Sequence, residues 1–435
     1  MNRVLNKVYK KDDGTIVYVV KTFAIMLAVF FLAVVGATAI PNAWVNKNAE
    51  KSIAILRKEG NTSFAYSSQK NDGFSDNIMF SMAENHSKES MNVAAAAMDD
   101  SYISNADPSK PTKLSYAWFW HGYTVFLKPA LIFFDIHVIR QLIILAFLIL
   151  VAAVAYQLAK LISVYVALVF IVSLGIFNPP VIMANLEYFS DFAVMFISSI
   201  ILLYMLQRNA SQKAITSLFL AIGGFTIFFD FFTTPIITWG MPLLVYIAYT
   251  LKHRQPTSKK LLSSAGWFSV AWAAGYGLIW ASKWTLASLI LGRNVFRNVF
   301  LNTVFYTSPD GMTQSGVATL NYTLREMFRL NIDYALLFKP ILLLASLVLL
   351  VVLATLVIRR QLRNGDLLVI FVLAGVSAAP FAWMVLSKTH SFIHHWMTHR
   401  DFIITTFGVL ILVGFLWSRL KITGWMTIGD EKQLK

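Results

Sequence analysis

Lys21-Thr22-Phe23-Ala24-Ile25-Met26-Leu27-Ala28-Val29-Phe30-Phe31-Leu32-Ala33-Val34-Val35-Gly36-Ala37-Thr38-Ala39-Ile40 carries no charge after its first residue. A helix of about 20 apolar residues crosses the hydrocarbon core of a bilayer, and the apolar core of a secretory signal is shorter. The run follows a segment containing Arg3, Lys7, Lys10 and Lys11. It therefore reads as a retained first membrane helix with its amino end in the cytoplasm.

The same pattern recurs along the chain. Ten spans are expected, at roughly 22–41, 139–158, 161–181, 188–207, 214–233, 236–252, 264–284, 338–358, 366–387 and 402–418. The connections alternate in charge. Those on the side of the amino terminus hold Lys160; Arg208 and Lys213; Lys252, Arg254, Lys259 and Lys260; Arg359, Arg360 and Arg363; and Arg419 with Lys421. The short connections on the other side hold Glu187, Asp191 and Asp230 and no base. This is the positive-inside pattern, and it predicts an all-α, multi-pass cell-membrane protein with both termini cytoplasmic.

The parts are then a cytoplasmic segment 1–21, a membrane domain 22–418 and a cytoplasmic tail 419–435, with outer loops at about 42–138 and 285–337. Composition agrees: 57% of the 435 residues are hydrophobic and 14% are charged. The net charge of +15 is largely explained by the inner loops, so nucleic acid is not an expected partner. With no cysteine, the first outer loop holds no disulfide and takes its order from packing on the helices or the bilayer surface. Its aromatic stretch, Tyr116-Ala117-Trp118-Phe119-Trp120-His121-Gly122-Tyr123, suits an interfacial or re-entrant segment.

Ionisable residues near the outer ends of spans are functional candidates, because charge at bilayer depth is costly. Asp72 and Asp76 are four apart, hence on one helical face if Gly73 does not break the turn. Asp72 suits a helix N-cap, and Asp76, beside Ile78-Met79-Phe80, suits a rigidly held general base. Asp230 stands among Phe228, Phe229, Phe231 and Phe232, where a carboxylate needs protein, water or a cation beside it. Lys283 either snorkels to the interface or holds a phosphate. His390, His394, His395 and His399 precede or adjoin Arg400 in the last outer connection. Their spacing permits metal binding, but no zinc-protease glutamate or cysteine accompanies them, and hydrogen bonding to sugar or phosphate is the preferred reading. Arg400 is the best anion clamp, since a guanidinium stays charged and binds phosphate bidentately. His121 belongs either to an aromatic belt or to a sugar-stacking surface.

The first helix, the outer-loop acids, WHGY at Trp120–Tyr123, DFFTTP at Asp230–Pro235 and HSFIHHWMTHR ending at Arg400 together resemble the GT-C superfamily of polytopic glycosyltransferases. The resemblance is closer to bacterial members found with surface-polysaccharide genes. It implies sugar transfer from a polyprenyl-phosphate donor to a cell-envelope glycan on the outer face, with membrane lipids as surroundings; no cofactor is expected and no metal ligand is assigned. Asp76 or Asp72 is then the base. His121, Asp230, Lys283, His390, His394 and Arg400 are the expected substrate-binding residues. The chain departs from the common pattern in having its acids some thirty residues beyond the first helix and not adjacent to one another. A flippase or lipid-linked sugar transporter, or an outer-face polymerase or ligase, is the alternative reading.

Overall fold

The computed structural model describes residues 2–60, 72–84, 92–99, 101–104, 112–254, 258–308, 321–335 and 337–420. Seven helices are long and apolar enough to cross a bilayer: Ile16–Ala39, Ile136–Leu161, Leu186–Gln207, Gln212–Phe229, Phe338–Ile358, Asp366–Leu386 and His395–Trp417, the last including two short helical turns at its start. These are the spans of a multi-pass membrane protein. The three other expected spans are helices that fall short by that measure. Val164–Gly175 has 12 residues and Ile237–His253 has 17, whereas Ser258–Leu291 has 34 but is interrupted by Gly, Ser and Trp.

Burial sorts these helices into layers. Ile237–His253 is buried along almost its whole length and packs on Leu186–Gln207, Phe402–Trp417 and Asp366–Leu386. Phe338–Ile358 is peripheral, exposing Leu343, Leu344, Leu347, Leu350 and Val351 as a lipid-facing stripe. The tightest approach joins Gln212–Phe229 to Ser258–Leu291. A Cβ added at Gly275 would lie 1.9 Å from the Leu220 carbonyl oxygen, and one at Gly223 would lie 2.0 Å from that of Trp272. Small residues let membrane helices approach backbone to backbone. Gly275→Ala must therefore push the pair apart, and we expect it to lower the melting temperature in detergent by an amount corresponding to about 1–3 kcal/mol. An unchanged melting temperature would contradict this packing.

The two ends of the bundle differ in charge. At one end His253 meets the Leu161 carbonyl, Arg254 donates to the Leu206 carbonyl and Asn209, and Arg419 pairs with Asp366. This basic end gathers the connections rich in Lys and Arg. The opposite end carries the two long loops. Its described parts form helices Asn42–Glu59, Gly73–Glu84, Val93–Asp99, Thr124–Phe133, Val295–Thr307 and Leu324–Tyr334, with an antiparallel ribbon pairing Ser101–Ser104 with Thr112–Ser115. Ser81–Glu84 ends the helix Gly73–Glu84 and Val93–Met98 lies in the helix Val93–Asp99, and residues 85–91 between them lie outside the described residues.

Of the two placements expected for the aromatic stretch, burial is against the interfacial one. Residues Ala117–Tyr123 are buried instead of lying in an interfacial belt. Trp120 donates to the Ile279 carbonyl (2.8 Å), Trp280 donates to the Trp118 carbonyl (2.6 Å), and the Gly122 amide donates to the Phe228 carbonyl (2.7 Å). The Trp120 and Trp280 indole N–H groups thus find backbone carbonyls, and the segment ties the first loop to the bundle.

Candidate functional site

Four elements bring ionisable side chains together at the end opposite the basic one. The first is the start of Gly73–Glu84. Asp72 caps it, its Oδ1 accepting the Ser75 amide at 3.0 Å, as a short acidic side chain does for the unpaired amides of a first turn. Gly73 does not break the turn, and the Asp76 amide donates to the Asp72 carbonyl. Both acids are buried.

The second element is the amino end of Leu186–Gln207, which supplies Glu187, Tyr188 and Asp191, all buried. Asn185 aligns it with the first element by accepting the Asp72 amide (3.0 Å), while Asp76 Oδ1 accepts the Glu187 amide (3.3 Å). The third is the turn after Gln212–Phe229, containing Asp230, Thr233 and Thr234, with Phe232 held at φ 74°. The fourth is the segment Lys388–Asp401, in short helical turns.

Asp72 Oδ2 is the hub. It accepts from Ser75 Oγ (3.0 Å), Trp396 Nε1 (3.3 Å) and the Tyr188 hydroxyl (3.4 Å), linking three of the four elements. On the Tyr188 ring lies the Arg400 guanidinium, 4.0 Å from its centroid. Arg400 is fully buried, and its Nη1 donates to the Trp396 carbonyl at 2.7 Å. Its Nε and Nη2 have no hydrogen-bond partner. Two unpartnered donors on a buried cation are expensive, and they mark an anion-binding direction.

A second carboxyl pair lies beside the first. Thr233 Oγ1 is 2.8 Å from Asp191 Oδ2 and 2.5 Å from Asp230 Oδ1, and Asp191 also accepts the Thr234 amide and hydroxyl at 3.1 Å. The Thr233 hydroxyl thus stands between the two carboxyls, with one hydrogen for two acceptors. The buried Asp401 carboxyl, whose oxygens have no partner, completes this acidic side of the site.

Burial shifts the groups outside the spans in the directions expected of a low dielectric. It pushes the Asp76 carboxyl up to about 7, against the opposing charge of Arg140. Asp230 is also raised by burial. Burial pushes His394 down to about 4 and His390 well below the usual imidazole range. The two imidazoles are therefore neutral near pH 7, suited to hydrogen bonding. Their ring centroids are 4.7 Å apart, and the Nδ1 of each lacks a partner. Among the described residues no three His, Cys, Asp or Glu side chains are grouped to hold a metal.

Of the sequence candidates, Asp72, Asp76, Asp230, His390, His394 and Arg400 belong to these four elements. Two stand apart. Lys283 neither snorkels nor joins Arg400: it is fully buried, donating to the Ala97 and Met98 carbonyls at 3.3 Å near the end of Val93–Asp99, with Trp120 beside it. A cation at a helix carboxy end answers that helix's unpaired carbonyls, so this is an anchor for the first long loop. His121 is likewise engaged, with the Tyr116 carbonyl and the Tyr123 hydroxyl each at 3.2 Å and Phe231 against its ring, beneath the acidic turn and in no position to stack a sugar.

Glu187, Tyr188, Asp191, Trp396 and Asp401 were not expected. Glu187 and Asp191, four apart on an otherwise apolar span, carried a readable signal. Arg140 is a further addition, paired with Glu59 (2.7 Å), donating to the Ala184 carbonyl (2.9 Å) and leaving Nη2 unpartnered. No family model, no curated protein and no solved structure matches this chain.

Proposed function

We propose that this cluster is the active site of a membrane glycosyltransferase that moves a sugar from a polyprenyl-phosphate donor to a cell-envelope glycan on the outer face. The observation that carries the reading is the continuity from the Asp72 carboxyl through Tyr188 to the unpartnered donors of Arg400, with the Asp76 carboxyl on the neighbouring Glu187 amide. Glycosyl transfer from a lipid phosphate needs both halves: a proton acceptor for the incoming hydroxyl and positive donors for the departing phosphate.

In this reading the acceptor oxygen bonds to the anomeric carbon as the bond from that carbon to the donor phosphate oxygen breaks. The hydroxyl proton passes to the Asp76 carboxylate, and the released polyprenyl phosphate keeps the bonding electron pair. Arg400 Nε and Nη2 face the charge that develops on that phosphate. The neutral His390 and His394 supply hydrogen bonds to sugar hydroxyls. Asp230, tied to Asp191 through Thr233, fixes the turn that carries Phe232 against the His390 ring. The deciding assay is sugar transfer by purified protein from a defined polyprenyl-phosphate sugar to a glycan acceptor. Absence of transfer from every such donor would remove the proposal.

A second reading, a transporter of lipid-linked sugars, draws on one specific observation. Asp191, Asp230 and Asp401 form a buried set of protonatable acids beside the spans, the equipment of proton-coupled movement. Substrate flux in proteoliposomes that follows a proton gradient, without glycosidic bond formation, would favour it over transfer.

The orientation follows the charge asymmetry of the two ends, with the basic end inside. The cysteine-free chain makes this simple to check, since single cysteines replacing the exposed Thr307 and Arg360 lie at opposite ends. In intact cells an impermeant maleimide should label the former and spare the latter until permeabilisation. The reverse pattern would invert the assignment and place the site in the cytoplasm.

A further inference from the structure

A separate groove opens at the basic end, far along the bundle from the acidic site. It encloses about 400 Å³ where Gln212–Phe229, Ile237–His253 and Ser258–Leu291 meet, and Gln212, Thr250, Arg254, Lys260, Ser264 and Trp267 line it. Its polar interior has a ligand-directed feature beyond surface charge. Thr250 is 3% exposed, and its hydroxyl has no hydrogen-bond partner, although a helical threonine ordinarily bonds the carbonyl one turn back. At the rim, Arg254 and Lys260 are exposed and have no ion pair among the described residues. The nearby acid Asp366 is held by Arg419 and by the Arg363 amide, so it leaves the rim bases uncompensated. Trp267 stands 62% exposed beside them, as an indole does at the headgroup level of a membrane.

We propose that this groove binds the phosphate of an anionic phospholipid headgroup. Basic pockets between membrane helices recognise such headgroups by point charge plus a few hydrogen bonds, and the groove has the size of an ordinary ligand site. Arg254 and Lys260 neutralise the phosphodiester, the Thr250 hydroxyl donates to one of its oxygens, and Trp267 lies along the glycerol and first acyl carbons.

The test uses the full chain in nanodiscs containing phosphatidylglycerol or phosphatidylcholine, transferred to detergent and weighed by native mass spectrometry. Wild type should retain one phosphatidylglycerol and no phosphatidylcholine. With each basic residue contributing about fivefold, Arg254→Gln with Lys260→Gln should weaken retention about 30-fold. Thr250→Val preserves shape and should weaken it about fivefold, in protein whose size-exclusion profile matches wild type. Competition with inorganic phosphate at on the order of 10 mM separates the sources. Persistence of the lipid supports a headgroup site, and displacement supports the same anion site with soluble phosphate as its ligand. Equal retention by wild type and the double variant, or equal retention of the two lipids, overturns the proposal.

Discussion

Arg400→Lys is expected to reduce sugar transfer about 100-fold or more, the scale on which removing one preorganised donor to a developing negative charge acts. The ammonium keeps the charge but cannot present Nε–H and Nη2–H as a planar fork, and those are the two donors that no protein group satisfies. It also loses the flat stacking on Tyr188 at 4.0 Å, which fixes the direction of the fork. Arg400→Ala should cost more and leave the Asp72, Tyr188 and Trp396 contacts without their cationic neighbour. The competing account is that Arg400 only ties Trp396 to Leu186–Gln207. Steady-state kinetics with a polyprenyl-phosphate sugar, alongside the melting temperature, separates the two. A phosphate-holding Arg400 lowers kcat or raises the donor KM in Arg400→Lys at little cost in melting temperature. Unchanged kinetics with a lowered melting temperature would make it a structural tie and weaken the phosphate-donor mechanism.

Asp76→Asn should abolish turnover to within measurement, a loss of roughly 10²–10⁴-fold, while donor binding persists. The amide keeps the shape and the contact with the Glu187 amide but cannot take the acceptor's proton. A pH profile gives an independent readout. Burial raises the Asp76 carboxyl to about 7, and only its ionised form is a base, so turnover should rise with pH through about 7 and level off above it. Arg140 opposes that rise in pKa. Arg140→Gln removes the opposing charge and should move the midpoint to higher pH, lowering turnover at pH 7 and restoring part of it at pH 8. A midpoint that moves down, or not at all, would detach Arg140 from the base. Asp72→Asn retains a capping oxygen for Ser75 but turns an amide N–H₂ toward either the Ser75 amide or the donors of Tyr188 and Trp396, so it too is damaging. Full activity in Asp76→Asn with none in Asp72→Asn would transfer the role of base to Asp72.

The acids gather because of how helix ends behave in a bilayer. A carboxyl is costly in hydrocarbon, so the acids of the spans sit toward a terminus, where turn hydroxyls and backbone amides can answer them, although the Asp401 oxygens have no partner. Thr233 and Thr234 do this for Asp191, and Asn185 and Ser75 do it for the Asp72 turn. Arg400 has only partial compensation, which is why the anion-directed reading centres on it.

The sequence by itself determined that this is a helical, multi-pass membrane protein whose bases collect at alternate connections, because apolar run length and charge alternation are properties of consecutive residues. It also determined that Asp230, His390, His394 and Arg400 lie near span ends, since each is an ionisable or polar residue interrupting or flanking an apolar run, and that Asp72 and Asp76 lie in the first long loop. Only the tertiary structure decided which of them meet. Asp72 reaches Trp396 across more than three hundred residues, a distance in sequence that no periodicity encodes. The same holds for Lys283 and His121, whose local sequence reads as interfacial. Packing gave the ammonium to the carbonyls of Ala97 and Met98 and enclosed the imidazole beneath Phe231, because a buried polar group is held by whichever partner the assembled helices bring within reach.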